Sequence, residues 1–143
     1  MPWHPFLIHF PIALLTAALV IDAVALLWGR ETWHRIAYVL LVAGTVGAAA
    51  SVVSGNADAA GYRQSEVAAA VQDHEDLGTV TFLLFLVVVL GRLPRILRPQ
   101  ADARKWLWMV PGVVGLVLLY LTSYDGGELV YHQGVGVVMP ASP

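Results

Sequence analysis

Long hydrophobic runs separated by short polar segments make up most of the sequence. Four of them approach or exceed the roughly 20 apolar residues that a helix needs to cross a bilayer, and they cover about residues 5–28, 34–56, 74–91 and 106–124. Short connections favour an up-down-up-down order, which places the first and third helices diagonally. The pattern therefore predicts an all-α fold, a transmembrane four-helix bundle that forms a single membrane domain over residues 1–143.

Composition supports a lipid environment and excludes several kinds of chemistry. Hydrophobic residues make up 58% of the chain and charged residues only 13%, whereas a soluble domain has about 25% charged residues. The absence of cysteine excludes disulfides, iron–sulfur clusters and covalently attached haem. No catalytic nucleophile, phosphate-binding loop or nucleic-acid patch is visible in the sequence. The sequence therefore gives no sign of a catalyst with its own substrate, and we expect the lipid bilayer and not nucleic acid as the partner.

The distribution of basic residues predicts the orientation of the bundle. Seven of the eight flank the first and third connections, and only Arg63 lies elsewhere. The seven are Arg30, Arg35, Arg92, Arg95, Arg98, Arg104 and Lys105. Connections rich in Lys and Arg stay in the cytoplasm. The sequence thus predicts a multi-pass protein of the bacterial inner membrane with both termini on the periplasmic side.

Two histidines suggest a cofactor site near the periplasmic side. His9 lies more than a turn inside the first hydrophobic run, where an ionisable residue is a candidate functional residue. His74 begins the third run, which crosses in the same direction, so both imidazoles are expected at similar depth. Diagonal helices can present two imidazoles to opposite faces of one haem iron, and Ala13 and Gly78, one turn further on, would leave space beside them. The sequence predicts non-covalent haem b with His9 and His74 as axial ligands.

The remaining histidines have different expected roles. His4 could be an alternate or supporting ligand near the same end. His132 could reach the site from the tail between Gly126 and Val137, which is predicted to be an extended segment or hairpin over the outer end of the bundle. His34, beside Arg35, is expected to be solvated at the inner interface.

Two further features of the first and second helices bear on packing. Asp22 lies towards the inner end of the first helix and is expected to pair with a polar group of another helix, with a proton relay as the less favoured alternative. Gly47, Ser51 and Gly55 recur every four residues in the second helix. Such small residues let helix backbones approach closely in lipid, so this ridge is expected to be a packing surface.

An ordered set of residues spans almost the whole chain. It consists of His4-Pro5, His9-Phe10-Pro11-Ile12-Ala13-Leu14-Leu15, Asp22, Gly55-x-x-Asp58, His74, Gly126-Gly127-x-Leu129-Val130-Tyr131 and Gly134-Val135-Gly136-Val137. This set resembles the bacterial membrane proteins grouped as domain of unknown function 2231. Some family members are fused to c-type cytochrome or Rieske-like domains, which implies membrane electron transfer by association. Many carry His directly before the Gly-Val-Gly-Val run, where this chain has Gln133.

These observations favour a small integral membrane b-type cytochrome. It would bind haem near the periplasmic side and transfer electrons between membrane and periplasmic partners, such as a c-type cytochrome or a larger respiratory complex. One alternative is a non-redox accessory or structural membrane subunit. Another is a metal-binding module built from the outward histidines, because imidazole also suits zinc and copper. For any of these functions, the chain could form a homo-oligomer.

Overall fold

The computed structural model describes residues 3–97 and 105–137, and its regular elements in these ranges are helices. The α-helices are α1 (His4–Leu7), α2 (His9–Trp28), α3 (Glu31–Ala59), α4 (Ala68–Leu97) and α5 (Met109–Tyr131), with 3₁₀ turns at Ala60–Tyr62 and Lys105–Trp108. Arg98, Arg104 and the side chain of Lys105, which contribute to the predicted orientation, lie outside the described part.

The described residues contain four helical segments long and apolar enough to cross a membrane, as the hydrophobic pattern predicts. They are His4–Trp28, Glu31–Tyr62, Ala68–Leu97 and Trp106–Tyr131. Each packs against its neighbour along the chain, and α2 also packs against α5, which closes an up-down-up-down bundle with α2 diagonal to α4. We call the end with the start of α1, the α3–α4 connection and the end of α5 the terminal end. The opposite end is the basic end.

Local sequence explains how the first two spans begin and turn. The break between α1 and α2 falls at Ile8, shortly before Pro11, whose missing N–H cannot bond to the carbonyl of Leu7. The second break follows Trp28, where Gly29 has a left-handed φ of 64°. Glycine adopts this conformation without steric cost and commonly ends helices. The chain therefore reverses within two residues to begin α3.

The centre of the bundle is a close-packed apolar core. Leu15, Leu41, Phe85 and Val88 are at most 1% exposed and come from α2, α3 and α4. A Cβ at Gly44 would lie only 2.7 Å from Cγ of Leu15, so the glycine lets α3 approach α2 closely. Large apolar side chains elsewhere on the helices are exposed on the outside of the bundle, the surface that lipid covers in a membrane protein.

The tail differs in part from its predicted extended form. The α5 helix continues through Gly126 to Tyr131, and only the residues after it form turns. Tertiary packing offsets the weak helix propensity of glycine here, because Gly126 lies against the ring of His74. The final turns do fold over the terminal end: the amide of Gly136 donates to the hydroxyl of Tyr62 over 2.8 Å, and Val135 packs beside Leu129.

Candidate functional site

Two imidazoles meet at the terminal end of the bundle. His4 begins α1 and His74 lies near the start of α4, and their ring centroids are 6.1 Å apart with the planes at 85°. Both residues are partly buried. The first and third spans thus bring His4 and His74 together, whereas the sequence predicts His9 as the partner of His74. The residue from the first span is His4.

The ring of His4 is held by α3. Its Nδ1 donates to the backbone carbonyl of Ser51 over 2.8 Å. A carbonyl can only accept, so a neutral ring in this position carries its proton on Nδ1 and its lone pair on Nε2. One turn further along α3, a Cβ at Gly55 would lie 3.0 Å from Cε1 of the same ring. The predicted small-residue ridge therefore packs against the first span, with Gly47 against Pro11 of α2 and Gly55 against the imidazole of His4.

The ring of His74 is held in the same manner by α5. Its Nδ1 donates to the carboxylate of Asp125 over 3.1 Å, which again leaves the lone pair on Nε2. A Cβ at the next residue, Gly126, would lie 3.0 Å from Cε1 of His74. Each histidine thus has one ring nitrogen bonded to a fixed acceptor and a glycine against the ring. Metal-binding histidines usually donate one ring N–H to such an acceptor and ligate through the other nitrogen.

The donor set limits which metal groups fit. Within residues 3–97 and 105–137, no group of three or more His, Cys, Asp or Glu side chains is placed to hold a metal ion. Zinc sites in proteins usually take three or four such ligands. Haem iron needs no third protein ligand, because its porphyrin supplies four nitrogens. The described residues here offer a metal group two imidazoles with anchored Nδ1 atoms.

Of the other predicted site residues, His9, Ala13 and His132 are exposed, and Gly78 lies one turn from His74 on α4. His9 and Ala13 are exposed on the outer face of α2. His132 has a 70% exposed side chain that bonds to Glu128, and Gly78 lies on α4 with Cγ2 of Thr122 as the nearest neighbour of its Cβ position. Ligation by His9 and His74 stays a prediction, and the geometry favours His4 as the partner of His74.

A periodicity in the first span could have identified His4. His4, Pro11, Leu15 and Asp22 are separated by 7, 4 and 7 residues, which places them on one face of a helix with 3.6 residues per turn. Pro11, Leu15 and Asp22 are buried. His9 is 13 residues from Asp22 and lies on the opposite face, towards the outside of the bundle.

A second polar cluster lies near the basic end, and it corrects the expectation for His34. This histidine is 1% exposed rather than solvated, and its Nδ1 donates to Oδ1 of Asp22 over 2.6 Å. The same oxygen accepts from Nη2 of Arg92 over 2.8 Å. The pairing predicted for Asp22 is confirmed and involves two helices. His34 shares a face with Ala37 and Leu41, both fully buried, so helical periodicity was the signal for its burial.

Four long apolar helices around a packed core define this chain as a multi-pass membrane protein. The chain belongs to the family described as predicted membrane protein (DUF2231), whose model matches residues 1–139. Comparisons with curated proteins and with solved structures give no match.

Proposed function

We propose that this membrane protein is a small b-type cytochrome that binds haem through His4 and His74. The observation that carries the proposal is the pair itself, with ring centroids 6.1 Å apart and both Nδ1 atoms bonded to acceptors. Metal–imidazole bonds are about 2 Å long, so two rings on one metal have centres about 6 Å apart. The observed separation fits that requirement.

The surrounding residues would hold and orient the two ligands. The Ser51 carbonyl and the Asp125 carboxylate select the tautomer that presents Nε2, and such bonds also raise the basicity of a ligating imidazole. Because the chain has no cysteine, the haem would be bound without a covalent attachment. Haem, when bound, supplies one-electron redox chemistry.

Apolar packing at the terminal end supports a site partly shielded from water. Ala59, Val71 and Leu129 are 5 to 7% exposed and form a cluster with Val135 against them. Val71 lies about one turn before His74, and Leu129 one turn after Asp125. The cluster thus lies on the helices that carry His74 and Asp125, and the Asp125 side chain itself is 41% exposed.

The distribution of basic residues supports a membrane side for the site. In the sequence, seven of the eight flank the first and third connections, so the positive-inside rule supports a cytoplasmic basic end and a periplasmic terminal end. A redox centre at the terminal end would exchange electrons with a periplasmic partner, such as a c-type cytochrome, or with a larger respiratory complex in the same membrane.

Absorbance spectra of the purified protein test the proposal. We expect a Soret band that sharpens on reduction and haem that acid acetone extracts. His4→Ala and His74→Ala should each abolish or convert the low-spin spectrum. His9→Ala and His132→Ala are matched controls, because both side chains are exposed, and both should keep the wild-type spectrum.

Two outcomes would contradict the proposal in different ways. Loss of the spectrum in His9→Ala but not in His4→Ala would restore the pairing of His9 with His74. A colourless wild-type protein, even when haem is supplied during expression, would reject the cytochrome. Metal analysis of that protein would then distinguish a histidine-based metal module from a non-redox accessory subunit.

A further inference from the structure

The two histidines are held by acceptors of different charge. Nδ1 of His4 donates to the neutral backbone carbonyl of Ser51 over 2.8 Å. Nδ1 of His74 donates to the carboxylate of Asp125, which comes from a different helix, over 3.1 Å. Hydrogen bonds to ionised acceptors are roughly twice as strong as those between neutral groups. The imidazole of His74 therefore has the more strongly polarising partner.

We infer that Asp125 is a positioning residue that makes His74 the stronger of the two ligands and lowers the reduction potential of the centre. This inference rests on the proposed haem site. A carboxylate bonded to the distal nitrogen raises the basicity of an imidazole ligand. A more basic ligand stabilises the oxidised iron relative to the reduced iron, and hydrogen bonding to the ligands is one of the ways by which proteins tune haem.

Two neighbouring residues of α5 contact the ring of His74, and one of them is Asp125. The adjacent Gly126 lies directly against the same imidazole. The backbone of α5 and the Asp125 carboxylate therefore both fix the position of the ring. The side chain of His74 is 18% exposed and that of Asp125 is 41% exposed. The pair is thus close to the surface of the terminal end but still ordered by packing between α4 and α5.

The acidic neighbours of His74 along the chain do not take this role. Glu75 pairs with Arg63 over 3.2 Å, and Asp76 accepts from Gln72 over 2.9 Å. Asp73 is exposed. Consecutive residues of a helix point in different directions, and the carboxylate bonded to His74 comes instead from α5. Asp73 consequently offers a control with the same charge at the same end.

Asp125→Asn tests the effect of the charge, because asparagine keeps an acceptor oxygen and nearly the same size. We expect the midpoint potential of the haem-loaded protein to rise by about 59 mV. For a one-electron couple, this shift corresponds to about a tenfold change in the redox equilibrium constant. Asp73→Asn removes the same charge without a bond to His74 and should shift the potential much less. A purely structural role would reduce haem content or stability and leave the potential unchanged.

Asp125→Ala tests the orientation of the ring independently of haem. With ¹⁵N-labelled histidine, the haem-free wild type should show His74 protonated on Nδ1, and the variant should lose this preference. Its affinity for added haem should fall roughly 10- to 100-fold, the usual effect of removing such a partner.

The outcomes separate the inference from the function on which it rests. A wild-type protein without haem would reject the proposed function, and the ligand-strength inference with it. In a second outcome, the wild type binds haem while Asp125→Asn and Asp73→Asn shift the potential equally. That result would overturn only the role of Asp125. An unchanged His74 tautomer in Asp125→Ala would also overturn it.

Discussion

Single glycines determine whether the imidazoles of the terminal end can lie where they do. Gly126 and Gly127 are adjacent in α5, but only the first faces a side chain. A Cβ at Gly126 would lie 3.0 Å from Cε1 of His74, whereas a Cβ at Gly127 would meet nothing within 4 Å. The two positions therefore form a matched pair in the same helix turn.

Gly126→Ala is expected to displace the ring of His74 and weaken its bond to Asp125. Overpacking of this kind costs about 1–3 kcal/mol, so the melting temperature should fall and the proposed haem spectrum should change. Gly127→Ala should be neutral or stabilising, by up to about 1 kcal/mol, because alanine is the better helix former. Thermal unfolding in detergent and absorbance spectra measure both effects. Equal behaviour of the two variants would contradict the close contact with His74.

At the scale of elements, three helices are joined by one carboxylate oxygen. Asp22 of α2 accepts from His34 of α3 and from Arg92 of α4, and all three side chains are 1 to 2% exposed. Charged groups in a membrane interior are almost always paired with one another. The cluster therefore sets the relative rotation of α2, α3 and α4 near the basic end.

Asp22→Ala should be among the most destabilising single substitutions. It would leave the guanidinium of Arg92 buried without its counter-charge, and breaking a buried ion pair in this way costs about 3–5 kcal/mol. Asp22→Ala combined with Arg92→Met should recover part of the loss, because the second change removes the uncompensated charge. A double-mutant cycle on thermal stability measures this coupling. Strictly additive effects would show that the two residues do not interact.

At the scale of the whole molecule, the orientation in the membrane is testable because the chain has no cysteine. Single cysteines at Ser65, in the α3–α4 connection, and at Thr32, at the start of α3, mark opposite ends of the bundle, and both positions are exposed. A membrane-impermeant thiol reagent added to intact cells with a permeable outer membrane should label Ser65→Cys. It should label Thr32→Cys only after lysis. The reverse pattern would place the basic end outside, against the positive-inside rule.

Hydropathy and helical periodicity were sufficient for the coarse fold. They predicted four spans, their order and the burial of Asp22 against a polar group, because each depends on short stretches of sequence. The predicted third span, 74–91, was shorter than the observed helix Ala68–Leu97. The helix continues into polar residues at both ends, where hydropathy no longer reports on secondary structure.

Hydropathy and composition alone establish a membrane protein with four spans, because too little charge is present to cover a water-facing surface. The contacts of His4 with His74 and of His34 with Asp22 become apparent only in the folded bundle. His4 and His9 are five residues apart and lie on different faces of the first span. Which face turns inward depends on the packing of Leu15 against Gly44 and of Leu19 against Gly112 on neighbouring helices. Helical periodicity groups His4 with Pro11, Leu15 and Asp22, but the contacts that turn this face inward join residues distant in the chain, so the sequence does not name the partner of His4.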